Sequence, residues 1–270
     1  MTDNAPTNRR EWKRPTVFYN HTVKWIVYGA ITLFFLWNLW AIRISPERLL
    51  IGIEGAIGLV NGMLPPNFGP DQRQRIWVGT IESIAMAFVA TAVGVVLSIP
   101  IAFIAAENIA PRPLYVIGRA IVSISRAFHS LIVAIIAVMA VGFGPLAGII
   151  AIVFATPGFF AKLLAEDIEE IGDDQLDAIR ATGANPLQVL LYGVIPQVIP
   201  RMIGLTIYRW DINIRASTII GIVGAGGIGS TLLISFQRYE YGFSLAIILV
   251  IVFLVLIGEL VSALARRRYQ

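Results

Sequence analysis

Apolar stretches of about twenty residues, the length that crosses a hydrocarbon core of about 30 Å, alternate along this chain with short polar breaks. The pattern predicts six membrane-spanning helices, over 24–42, 76–105, 119–141, 146–164, 200–223 and 243–265. Trp25, Trp37 and Trp40 lie near the ends of the first, where tryptophan anchors a span at the interface. Residues 43–75 are mixed in charge, carry Pro65 and Pro66, and are too broken to span; within them, 49–60 fits an amphipathic helix lying along the interface. Residues 142–145 form a tight turn between the third and fourth spans. The predicted fold class is an all-α integral membrane protein with both termini on one side.

Composition narrows the function. Hydrophobic residues make up 57% and charged residues 14%, with a mean hydropathy of +0.75, against about a quarter charged in soluble domains. With 270 residues, six spans leave no room for a soluble catalytic domain. The absence of cysteine excludes disulfides, thiol nucleophiles and thiolate metal sites. His21 and His129 are too far apart in sequence to suggest a metal pair, and a lone histidine beside a membrane helix is more often structural. The three lysines, Lys13, Lys24 and Lys162, fall in no phosphate-binding loop, so the chain holds no nucleotide by itself. The net charge of +4 is concentrated in the tails, which argues for orientation in a lipid bilayer and against nucleic acid.

Arg9, Arg10, Lys13 and Arg14 precede the first span and Arg266, Arg267 and Arg268 follow the last, so the positive-inside rule places both termini in the cytosol. Residues 1–23 then form a cytosolic tail before an uncleaved anchor. The expected organisation is an N-terminal part, 1–75, and a five-helix core, 76–270, whose loops at 106–118 and 165–199 are also cytosolic.

The second of these loops has the layout of a docking element. Gly183 can stop one helix in a left-handed conformation, Asn185 can cap the next, and Pro186 suits its first turn. Asp173 and Asp174 complement the positive end of the first helix. The predicted product is an elbow of helix, tight corner and short helix, with 185–191 as the short helix. Glu166, Asp167, Glu169, Glu170, Asp173, Asp174 and Asp177 make the loop acidic, suited to a basic partner surface.

The fifth span carries Arg209, Asp211, Asn213 and Arg215. Arg209 lies ~14 Å past Pro200 at 1.5 Å per residue, where a charge costs ~2.5–3.5 kcal/mol on insertion scales. These charges must therefore face protein or water. Asp211 and Arg215 have the spacing and order of a same-face ion pair, leaving Arg209 as an unmatched cation. Two readings stay open: a pathway residue that meets an anion, with Arg126 and His129 at the cytosolic side of the third span contributing to the path or snorkelling, or a structural network with Glu82, Glu240 or Glu259. The run Gly224-Ala-Gly226-Gly227-Ile-Gly229 matches a dinucleotide fingerprint only in letters, because no strand precedes it; it allows backbone bends and close helix approach, as a re-entrant turn or gate requires. Thr156-Pro157-Gly158 marks a kink whose freed backbone groups neighbouring helices must satisfy.

Residues 180–185, 191–197, Tyr208-Arg209, 213–218 and 223–229 together resemble the permease of phosphonate ABC importers, a likeness that extends from about Ile76 to the C-terminus. The coupling-loop pattern of such permeases is Glu-Ala-Ala, three residues, Gly, nine residues, Ile, one residue, Leu-Pro. Ala178, Gly183 and Pro196 keep it, Asp177 and Ile195 are conservative replacements, and Ile179 and Gly193 depart from it. The resemblance implies a type I importer permease in the cell membrane of a prokaryote, with Asp177, Ala178, Gly183, Ala184, Asn185, Pro186, Leu187 and Pro196 meeting the ATPase. It implies a pathway past Arg126, Arg209, Asp211, Asn213, Arg215 and Gly224, Gly226, Gly227 and Gly229. It also implies the partners: a second identical or related permease, two ABC ATPase subunits that hold the ATP and magnesium, and an extracytoplasmic substrate-binding protein. This chain itself would bind no cofactor. Phosphite, phosphate or methionine-type cargo are the alternatives within that class. An ion-coupled carrier lacks a convincing inverted repeat here, a structural membrane subunit leaves the elbow idle, and a membrane enzyme lacks a nucleophile and base.

Overall fold

The computed structural model of the chain describes residues 20–42 and 45–266, without the side chains of Asp173 and Arg266. The basic groups Arg9, Arg10, Lys13, Arg14, Arg267 and Arg268 lie outside the described residues. Two compact units divide at Leu59 and Val60. The first holds α1 (His21–Ala41) and most of α2 (Pro46–Met63). Neither helix has a buried residue. In α1, Trp25, Phe34, Trp37 and Trp40 are all exposed, the surface expected where lipid is the solvent.

The second unit is built around α3 (Pro70–Ala105), whose 36 residues make it ~54 Å long at 1.5 Å per residue. Packed against it are α4 (Arg112–Ala127), α6 (Pro145–Glu169), α9 (Ile195–Gly221) and α10 (Gly227–Gln237). The buried face of α3 repeats every three or four residues through Gly79, Ser83, Met86, Ala87, Ala90, Thr91 and Gly94. Small side chains let backbones approach closely, the usual basis of helix association in membranes. A Cβ at Gly94 would stand 2.7 Å from the Thr156 side chain of α6. The remaining helices are α5 (Ser130–Val141), α7 (Asp173–Ala181), α8 (Pro186–Gln188) and α11 (Tyr241–Arg266). Phe160, Leu164 and Ile168 of α6 form the largest core with Ala102 and Ala105 of α3 and Leu176 of α7.

Among the described residues five helices are long and apolar enough to cross a membrane by themselves, and α4 with α5 makes a sixth candidate bent by 87°. The span expected over 119–141 falls on this bent pair, which starts earlier, at Arg112, and is interrupted at Phe128 and His129. Phe128 and His129 are extended, and His129 caps α5 by accepting the Leu131 amide at Nδ1. The two halves differ in kind: α5 is apolar throughout, whereas α4 buries Gly118, Val122 and Ser125 on one face. A hydropathy window averages across such a break. The fifth span also starts earlier than expected, because α8 runs through a π-helical turn, Val189–Val194, directly into α9.

Candidate functional site

Two regions of the second unit hold the residues to which the sequence points. The first is the elbow between α7 and α8. Gly183 has φ +85 and donates its amide to the Arg180 carbonyl at 2.9 Å, closing the end of α7. The left-handed conformation is open to glycine without a side-chain penalty. The Asn185 side chain accepts the Gln188 amide and the Gln188 side chain accepts the Asn185 amide, each at 2.9 Å, a reciprocal capping box with Pro186 in the first turn. The corner's inner face is fastened to the main core through Leu176, Val189 and Val194. Its outer face leaves Leu187 62% and Tyr192 74% exposed, with Leu191 beside them. Asp177 and Arg180 pair at 2.8 Å on the surface, a contact of little energetic weight. Ala178 is exposed, Ala184 half-buried and Pro196 exposed.

Ile179 and Gly193, the two departures from the coupling-loop pattern, meet. A Cβ at Gly193 would stand 2.8 Å from Ile179 Cδ1, so the larger residue at 179 occupies space released by the smaller one at 193. The pattern has the sizes the other way round, and the exchange conserves the contact.

The second region is a cavity of about 580 Å³ walled by the α4–α5 corner, α6 and α9. Arg126, His129, Lys162, Arg209 and Asn213 line it, and among the described residues no carboxylate does. Arg209 is only 7% exposed. It reaches Thr156 Oγ1 from Nη2 at 3.4 Å and lies over the Phe159 ring at 5.5 Å, while its Nε has no hydrogen-bond partner within the protein. Among the described residues no carboxylate pairs with it, so the network with Glu82, Glu240 or Glu259 is not formed. Asp211 instead pairs with Arg215 at 2.7 Å and lies toward Gly258 of α11. Asn213, one turn beyond Arg209, is fully buried and donates to Thr91 Oγ1 at 2.9 Å.

The wall at α6 depends on a helix splice. Pro157 lacks an amide hydrogen, and the Ser125 hydroxyl of α4 donates to the Phe154 carbonyl at 2.6 Å while accepting the Gly158 amide at 2.9 Å. Those two backbone groups would bond each other in a regular α-helix. A Cβ at Gly158 would stand 2.7 Å from Arg126 Cγ, so the glycine admits α4 and sets Arg126 on the cavity wall.

The glycine run stands elsewhere. Gly224, Gly226 and Gly227 have positive φ and turn the chain from α9 into α10. A Cβ at Gly229 would collide with the Thr218 carbonyl, which keeps α9 and α10 in close contact. The Glu82 carboxylate accepts the Gly227 amide and Ser83 Oγ accepts the Ile228 amide, each at 2.9 Å. The first amides of α10 are therefore already occupied by α3 side chains, in place of any phosphate. None of the four glycines lines the basic cavity.

The structure therefore brings Arg126, Arg209 and Asn213 together and leaves Asp211, Arg215 and the glycines apart. Lys162, Ser125 and Phe159 complete the wall without having been singled out. A lone lysine in an otherwise apolar run was a usable signal for the first; the other two are defined only by tertiary contact.

A many-helix membrane unit with a polar cavity and a capped, outward elbow defines the class of a membrane transport subunit. Residues 98–270 match the family described as binding-protein-dependent transport system inner membrane component, and the chain belongs to that family. It is 38% identical over 248 residues, 91% of this chain and 88% of the relative, to the phosphite transport system permease protein PtxC of Stutzerimonas stutzeri. It is also 38% identical over 231 residues to the phosphate-import permease protein PhnE of Mycolicibacterium smegmatis, covering 84% of this chain and 43% of that longer protein. In fold it matches a chain of the MetNI methionine ABC transporter in inward-facing form, with a TM-score of 0.64 and 23% identity over 75% of this chain and 100% of that one. The fold is that of a type I ABC importer permease.

Proposed function

We propose that this chain is the membrane-spanning permease of an ATP-driven importer for a phosphorus oxyanion: phosphonate, or its near relatives phosphite and phosphate. The observation that carries the reading is the cavity lined by Arg126, Lys162 and Arg209 and by no carboxylate, in a chain similar to a phosphite permease over nine-tenths of its length. A desolvated guanidinium attracts a tetrahedral oxyanion by charge and by a planar fork of donors.

In this reading 76–270 is the permease core, supported by the family match over 98–270. Both termini and the elbow face the cytosol. The exposed Leu187, Leu191 and Tyr192, flanked by Asp177, seat in an ABC ATPase that holds ATP and magnesium. One elbow per chain implies two permease chains, identical or related, for two ATPase subunits. An extracytoplasmic binding protein delivers the solute at the opposite face of a prokaryotic inner membrane.

The test is co-expression with candidate ATPase and binding-protein subunits, followed by reconstitution into vesicles. The expected result is ATP-dependent uptake of phosphite or methylphosphonate by a complex whose mass contains two permease chains and two ATPases. A complex that moves another solute and no phosphorus oxyanion would sink the substrate assignment; one permease chain on a fully active ATPase pair would sink the stoichiometry.

A further inference from the structure

Two hydrogen-bonding groups in the wall of the basic cavity are unpaired, and they are of opposite kinds. Among the described residues, Arg209 Nε is a donor with no partner and Asn213 Oδ1 is an acceptor with none. Leaving either group buried and unmade costs free energy that the fold gains nowhere else.

The orientation of the Asn213 amide follows from its neighbour. Thr91 Oγ1 donates its single proton to the Ala87 carbonyl at 2.6 Å. Its oxygen can then only accept, so the end of Asn213 that meets it at 2.9 Å is the NH2 group. The amide oxygen is left over as a fixed acceptor one helical turn from a fixed cation. A water could satisfy either group, but a fully ionised oxyanion has no donor to offer the amide oxygen. A singly protonated one has both: ionised oxygens for the guanidinium and a P–OH for Asn213.

We infer that Arg209 and Asn213 form a transient binding site, inside the membrane cavity, for the singly protonated form of a tetrahedral phosphorus oxyanion. This rests on the proposed function above and adds to it a preference among protonation states: the monoanion meets both Arg209 and Asn213, whereas the dianion passes on Arg209 alone. The cavity's volume of about 580 Å³ is many times the ~30 Å³ share of a water molecule, so the ion keeps part of its hydration and is held weakly, as release requires. The charged groups that line the cavity with Asn213 are Arg209 on its own helix, Lys162 on α6, and Arg126 at the end of α4; Asp211 and Arg215, two residues to either side on α9, pair with each other and do not line it. Lys162 is shared with Glu166 at 3.3 Å. His129 also lines the cavity. From α3 the contact is the uncharged Thr91.

The experiment compares the reconstituted transporter with its Asn213→Leu variant, measuring phosphite uptake and ATPase stimulation by the loaded binding protein. Both are followed from about pH 5.5 to 8.5, across the second ionisation of a phosphoryl group, which lies near ~6 in esters. Any pH dependence of the binding protein is common to both proteins and cancels in the ratio of variant to wild type. The expected ratio is about one-tenth at the acid end, the scale of one buried hydrogen bond, and rises toward one as the dianion takes over. Stimulated ATPase activity persists in the variant. Arg209→Gln, by contrast, lowers uptake at every pH, and Lys restores it only in part. Should Asn213→Leu not accumulate, Asn213→Ala removes the same acceptor and is measured in its place. A ratio that stays flat with pH, or uptake and stimulated ATPase falling together, overturns the site and leaves Asn213 a packing residue. A wild-type complex that moves another solute and no phosphite overturns the functional reading, and the site with it.

Discussion

The elbow and the cavity handle their polar groups in opposite ways. Across 182–188 the backbone is closed upon itself, with Thr182, Gly183, Asn185 and Gln188 all in hydrogen bonds, and the unsatisfied surface is apolar and outward: Leu187, Leu191 and Tyr192. In the cavity the packing is closed and the unsatisfied groups are polar and inward: Arg209 Nε and Asn213 Oδ1. A rigid part with bare apolar surface suits a protein partner, whose burial is driven by removal of that surface from water. A wall with unpaired donors and acceptors suits a small polar solute.

The contrast is broken most forcefully at Gly183. A valine there must adopt φ +85, which costs at least ~1–2 kcal/mol for a residue with a Cβ. Nothing else stands within 4 Å of a Cβ at this position, so backbone strain is the only penalty. The Gly183→Val transporter is expected to lose phosphite uptake by roughly tenfold while the cavity variants' phenotype, stimulated ATPase without uptake, is absent. Uptake and ATPase should fall together, as measured on purified complex. Normal rates for both would remove the elbow from the coupling scheme.

Ser125→Ala addresses the cavity side. It strands the Gly158 amide and removes the donor to the Phe154 carbonyl at a buried helix break, a loss of about 1–3 kcal/mol. Thermal unfolding in detergent should show lower stability, and uptake should fall because Arg126 is seated by the same contact. An unchanged unfolding midpoint would mean that Pro157 is accommodated without the serine. At the elbow, Asn185→Ala removes one half of the capping box at a cost of about 1 kcal/mol, readable in the same assay; Asn185→Asp should retain most of it.

What could be read from the sequence divides along the range of the interactions. Gly183, Asn185 and Pro186 act on backbone within four residues, so the corner was legible in the letters. The apolar runs were equally legible, because span length is fixed by the bilayer. The break at Phe128 and His129 was not: α5 is apolar enough to carry a window across it, and the bend is set by where α4 docks on α6. The Ser125 splice and the Thr91 contact that orients Asn213 link positions 33 and 122 residues apart, and no local pattern encodes them. The unmatched state of Arg209 lay between these cases, since the Asp211–Arg215 spacing pointed to it and the three-dimensional contacts were needed to exclude Glu82, Glu240 and Glu259.

The smallest expected net effect is that of changing Ile179 and Gly193 together, and it tests whether departures from a family pattern can be read as a pair. Each departure alone weakens the match, since one position gains bulk and the other loses it. In space they are one contact, with Ile179 Cδ1 in the place a Gly193 side chain would fill. Gly193→Ile alone should overpack the junction of α7 with the turn before α9, costing about 1–3 kcal/mol. Ile179→Ala alone should open a gap and cost a similar amount at this half-buried site, toward the low end of the range for large-to-small changes. The double substitution, which restores the pattern's own sizes, should recover most of both losses and leave net stability within about 0.5 kcal/mol of the starting protein. A double-mutant cycle therefore predicts a coupling energy larger than either net effect. Additive losses would show that the two changes arose independently and that the elbow tolerates each by moving; strong coupling would show that the sequence departs from the pattern while its packing does not.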